Sequence, residues 1–286
     1  VSRLFPLQGL DGITIATDYR TALNELDREM NSTEVTEPTV ESFGTGMAMS
    51  SAVVRDGILK THVTFEAAII GGLISDDPEI KDLSTHTFIH ELGHVAEHGI
   101  NAERFGDQML TPMEDKYEFE LYRLTNSCWS EYYASRVSAP WGAHALEGLR
   151  ELLQGSLEQM VERLTAARAG VGMFNNTQND QAANEIIDQV SKLMKFAGYV
   201  IGHASGEDVL PVEEESIHRD LLEQLDLSDW FDDLVATLEQ LYDSREEWDD
   251  LSVFHPLHRA FEDACFKFKL ELIRDERYTL GWRIYF

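Results

Sequence analysis

His90, Glu91, Leu92, Gly93 and His94 spell HExxH, and on a helix that spacing puts two imidazoles on one face. Four residues advance about 6 Å along the axis and rotate about 40° beyond a full turn, so both rings reach a common point about 2 Å from a nitrogen of each. One metal ion fits there. Glu91 follows the first histidine by one residue and points about 100° away from it. That is too far round for a third ligand in the same plane, but it suits a general base that takes a proton from water activated by the ion.

The flanking residues that would face a core are apolar: Phe88, Ile89, Leu92, Val95 and Ala96. Gly93 runs against helix propensity, at about 1 kcal/mol relative to alanine, and is expected where chain or substrate must lie close against the helix. Histidines recur at 86, 90, 94 and 98. Each step drifts by about 40°, so the outer two lie about 120° apart and cannot share an ion with the inner pair. His86 and His98 are expected to support the ligands or to face solvent. Glu97 stands about 10 Å along the axis from His90, out of reach of the same ion.

With Thr87 and Phe88 ahead of it and Val95 behind, this stretch resembles the active-site helix of the zincin metallopeptidases. The longer metzincin pattern requires glycine at 97 and histidine at 100, where this chain has Glu97 and Ile100, which excludes that subgroup. A zinc site that keeps one position for water needs a third protein ligand, and a second helix must supply it. Residues 113–138 are the natural choice, because Tyr117, Leu121, Leu124 and Cys128 recur as a core-facing stripe whose next member is Glu131. A carboxylate there is costly unless paired or metal-bound. Glu131 is the expected ligand, an ion pair with Arg123 or Arg136 is the structural alternative, and Glu118, on a neighbouring stripe with Tyr122, Thr125 and Trp129, is the second choice.

Glu131 to Ala134 spells ExxA, similar to the glutamate helix of the gluzincins, HExxH peptidases whose third ligand is a downstream glutamate. In that family an aspartate often follows the ligand by four residues and orients the first histidine. Ser135 stands there in this chain, so another group must do that work. The resemblance also implies a tyrosine or histidine outside the motif that stabilises an oxyanion. Tyr199 and His203 share a helical stripe with Phe196 and are candidates; Tyr132 and Tyr133 are equally open. For His203 the alternative is a favourable place near a helix C-terminus. His255 and His258 have HxxH spacing without a carboxylate pattern nearby and read as ordinary residues.

The elements that must position these groups follow from periodicity and punctuation. Residues 13–16 read as a strand and Asp18 as the cap of a helix over 19–30; residues 31–46 read as a loop. A strand over 47–54, a hairpin turn at Arg55, Asp56 and Gly57, and apolar segments over 58–74 complete a small sheet, with residues 62–65 or 67–73 as the edge lining a cleft. Asp76, Asp77 and Pro78 break the pattern, and Ser84 is expected to cap the metal helix. After Ala139, Pro140, Trp141 and Gly142 end the glutamate helix, helices are predicted over 143–169, 180–203, 213–225, 228–247 and 256–277. A polar linker is expected over 175–180 and a strand over 278–286. The predicted class is α+β, mostly helical, with a small N-terminal sheet packed on the HExxH helix and a helical C-terminal half. Residues 1–138 form the catalytic core, and 139–286 either complete the same domain or form a subdomain.

The 286 residues suffice for a large core, and 43% of them are hydrophobic. With 23 basic against 52 acidic side chains the formal charge is -29, which opposes binding to nucleic acid or anionic membranes and leaves a basic protein partner open. Cys128 and Cys265 show no CxxC pairing, and Cys128, in an apolar stripe, is expected as a buried free thiol. No apolar run approaches the length of a membrane span. The expectation is a soluble cytoplasmic zinc metallopeptidase holding one Zn2+ through His90, His94 and Glu131, with Glu91 as base and a peptide or protein as substrate. The residues alone support metal-assisted hydrolysis; peptide cleavage comes from the resemblance. The rival readings are a non-catalytic metal-binding module and an acidic protein-interaction module.

Overall fold

The computed structural model describes residues 5–29, 40–41, 44–109, 113–142, 144–169, 176–275 and 279–285. The extreme N-terminus, most of the 31–46 loop, Met30, Asn175 and residues 276–278 lie outside the described residues. The chain is α+β and mostly helical, with a small N-terminal sheet packed on the HExxH helix and a helical C-terminal half. Its described residues fall into two compact units. The first takes those within Val1–Thr111, Tyr133–Gly148 and Gly202–Val209, and the second those within Pro112–Tyr132, Leu149–Ile201 and Leu210–Phe286.

In the first unit, β1 (Leu10–Ala16) leads into α1 (Tyr19–Glu25), capped by Asp18, whose carboxylate accepts from the Thr21 amide at 3.1 Å. This helix ends before the expected residue 30. Leu26 turns to extended backbone, and the Arg28 carbonyl accepts from the Val54 amide at 2.9 Å, drawing the chain to the sheet. Inside the expected loop, β2 (Val40–Glu41) and β3 (Gly44–Thr45) pair antiparallel. β4 (Ala48–Arg55) and β5 (Ile58–Glu66) form the expected hairpin. Asp56 and Gly57, at φ 53° and 76°, supply the left-handed pair that a two-residue turn needs.

The strand order β1-β5-β4, with β1 parallel and β4 antiparallel to β5, corrects both expected edges. Residues 62–65 lie in the central strand, and β4 is an edge. The run over 67–73 is mostly helix, α2 (Ala67–Gly72). A short apolar run does not distinguish strand from helix by periodicity, and the helical form brings Ile69 into one core with Val63, Phe65, Leu92 and Val95.

That core seats α3 (Pro78–Phe105), the HExxH helix. It begins before Ser84: Asp77 caps it by accepting from the Glu79 amide at 3.0 Å, and Pro78 takes a first-turn position where its missing N–H costs nothing. Ser84 is buried within the helix. Ile89, Leu92, Val95 and Ala96 are buried as expected, and the ring of Phe88 stacks on Phe65 at 5.3 Å. α4 (Lys116–Ser138) carries residues of both units. A Cβ on Gly93 would lie 2.9 Å from the Ala134 Cα, so it is the chain that approaches closely here. Gly93→Ala is expected to destabilise the fold by up to about 2 kcal/mol net, as overpacking of about 1–3 kcal/mol is offset by about 1 kcal/mol of regained helix propensity. A fall in the urea midpoint checks this.

Helices α5 (Ala145–Ala169), α6 (Asn176–Glu207), α7 (Ile217–Gln224), α8 (Ser228–Ser244) and α9 (His255–Lys267) follow. The expected linker is the opening of α6. α9 stops well before residue 277, where Lys269 takes φ 67° and the chain enters a hairpin of β6 (Leu270–Arg274) and β7 (Leu280–Ile284). In β6 the buried residues are Leu270 and Leu272, the period-two signal inside the expected helix. The core of the second unit includes Leu121, Trp129, Leu153, Leu157, Ile186, Leu238 and Phe261. Cys128 and Cys265 are buried free thiols there, and burial pushes both above the usual thiol range. Among the described residues no helix is long and apolar enough to cross a membrane.

Candidate metal centre

His90, Glu91 and His94 are all buried on α3. The Nε2 atoms of His90 and His94 stand 3.1 Å apart with the rings edge to face at 84°. Ligand atoms around a tetrahedral ion bonded at about 2.1 Å are separated by about 3.4 Å, so this spacing suits one ion between the two nitrogens. With no ion the same contact is an N–H···N hydrogen bond. One oxygen of Glu91 lies within 4.8 Å of both imidazole nitrogens. Its length brings the carboxylate back towards the pair despite the 100° offset of its Cα. The hydroxyl of Ser50, on β4, stands 2.8 Å from Glu91 Oε2 and 3.0 Å from the Glu91 carbonyl oxygen, and donates to this residue. Sequence reasoning missed Ser50, because nothing in its surroundings marks which strand lies beside the helix.

The outer histidines lie beside the inner pair and do not stand in open solvent. His86 is buried with its ring 6.1 Å from that of His90 and 5.2 Å, edge-on, from that of His203. Burial first, then the neighbouring His90 and His203, holds it down to about 3, so it is neutral near pH 7. Its Nε2 lies 3.3 Å from Ser138 Oγ. Gly142 makes room for the ring: a Cβ there would lie 2.4 Å from His86 Cδ2. His98 Nδ1 meets Thr61 Oγ1 at 2.8 Å and its Nε2 lies 3.5 Å from Glu97, which also accepts from Asn101.

Of the oxyanion candidates, His203 is fully buried in the first unit, and burial lowers its pKa against the pull of Glu207, 3.4 Å away. Tyr199 belongs to the second unit, half-buried, with its ring stacked 6.3 Å from Phe196. Tyr132 and Tyr133 are buried. Tyr19 went unnoticed in the sequence. Its hydroxyl is buried without a hydrogen-bond partner among the described residues, and burial together with the charges of Glu91 and Glu66 pushes the phenol above its ordinary range.

Glu131, in the second unit, is buried with its stripe as expected and lies 3.6 Å from Lys195 Nζ. The buried Ser135 hydroxyl has no hydrogen-bond partner among the described residues. Glu118 reaches His255 and His258, so a pair with no carboxylate pattern nearby in the sequence meets one in the fold, from a point 140 residues before His258. No family model, curated relative or solved structure matches the chain.

Proposed function

We propose that the chain is a zinc-dependent hydrolase of gluzincin type, a metallopeptidase. The observation that carries this reading is the pair of buried Nε2 atoms 3.1 Å apart beside a carboxylate anchored by Ser50. His90 and His94 would hold the ion, and an all-nitrogen pair of this kind suits Zn2+. The third ligand comes from the sequence resemblance and not from the structure: Glu131, the acid that ends a buried stripe. Bound zinc would supply Lewis acidity to water and to a substrate carbonyl.

The chain's own groups do the rest. Glu91 accepts the proton of the attacking water and passes it to the leaving amine. Ser50 donates to one carboxylate oxygen and holds the group in place beside the imidazole pair. His86, neutral and buried, puts no positive charge next to His90. The resemblance also implies a tyrosine or histidine that stabilises the developing oxyanion, for which His203 and Tyr199 are the sequence's candidates. An extended peptide would lie along β4, the edge strand that carries Ser50. Two free thiols agree with a reducing, cytoplasmic setting.

The test is hydrolysis of an unfolded protein by the metal-loaded chain, with chelation and zinc re-addition. Activity that vanishes with the chelator and returns with zinc supports the reading; activity indifferent to both sinks it. Ser50→Ala is expected to lower kcat/KM about tenfold or more, the worth of a hydrogen bond to a charged group, while zinc affinity stays the same. Steady-state kinetics beside a zinc titration measures both.

A further inference from the structure

We infer that Glu118, His255 and His258 form a second site for a divalent transition-metal ion, tying the start of α4 to the start of α9. The Oε2 of Glu118 lies 3.4 Å from His255 Nε2 and 3.1 Å from His258 Nδ1, and all three ligand atoms fall within 4.8 Å of one another. The two separations from Glu118 match the edges of a tetrahedron around an ion with bonds of about 2.1 Å, which are about 3.4 Å long. The site draws on the second unit alone and does not depend on the HExxH reading.

The backbone that presents these groups is fixed by packing. Phe254, directly before α9, is buried and packs edge-on against Tyr122, one turn beyond Glu118 on α4, at 5.7 Å, and against Trp248 at 5.2 Å. His255 and His258 share the first turn of α9, with ring centroids 5.5 Å apart. Asp115 accepts from the amides of Tyr117 and Glu118, fixing the first turn of α4.

Two imidazole nitrogens and one carboxylate oxygen select zinc and its neighbours over magnesium or calcium, which require mostly oxygen ligands. Access is open from the side of His255, whose side chain is 47% exposed. Water would complete the coordination there.

The test is a calorimetric titration of Zn2+ into the metal-stripped full chain, comparing wild type with His255→Ala and Glu118→Gln; neither side chain is fully buried, and circular dichroism checks the fold. Each variant is expected to take up one equivalent fewer than wild type, or to bind that equivalent at least about a hundredfold more weakly, the upper end of what losing a ligand's supporting partner costs. This difference holds whether or not the HExxH pair binds zinc, because both arms keep that pair intact. Uptake equal in all three proteins overturns the site. So does a lowered melting temperature in the variants with unchanged zinc uptake, the mark of a plain hydrogen-bonded cluster.

Discussion

On the proposed hydrolase reading, replacing Glu91 with glutamine is expected to lower hydrolysis about 100- to 10,000-fold, the range that a positioned general base contributes, and to leave zinc affinity and fold unchanged. Glutamine keeps the length and the hydrogen-bonding oxygen that Ser50 reaches at 2.8 Å in the native protein, so the packing of the buried residue survives. It removes only the capacity to take a proton. The combination separates catalysis from binding: zinc titration matches wild type while turnover of an unfolded protein falls. A variant that keeps more than about a tenth of wild-type activity, a loss well below the general-base range, removes Glu91 from the chemistry.

The second large effect is on the metal itself. His94→Ala deletes one of two nitrogens 3.1 Å apart and is expected to weaken zinc binding at the HExxH pair by more than about a hundredfold, beyond the cost of losing a ligand's supporting partner. Hydrolysis falls with it at limiting zinc. Glu131→Gln gives the companion result. If Glu131 is a ligand, its loss weakens zinc as His94→Ala does; if its role is the ion pair with Lys195 at 3.6 Å, zinc affinity stays at the wild-type value and only stability shifts. Equilibrium dialysis with the zinc concentration buffered distinguishes the two.

Legibility in the sequence followed the range of the interactions. The helix around His90 and His94 was legible because its ligands, its apolar face and its glycine fall in one stretch, where period 3.6 applies directly. The β4–β5 hairpin was legible because Asp56 and Gly57 suit its left-handed turn. Strand order was not: β5 reads as an edge until β1 is seen to pair with it in parallel, and no local pattern encodes that pairing. α2 escapes the pattern because Ala67 to Gly72 is too short to show a period, and the end of α9 because the alternating strand that follows it reads as continued helix. The grouping of Glu118 with His255 and His258 was illegible for the same reason as Ser50 beside Glu91. Both contacts join elements far apart in sequence, and tertiary packing alone creates them.

The most direct measurement is anomalous scattering at the zinc absorption edge from crystals of the zinc-loaded protein. The account predicts a peak about 2 Å from both His90 Nε2 and His94 Nε2, with the third ligand visible at a similar distance. Zinc-saturated crystals with no anomalous density between those two nitrogens would contradict it.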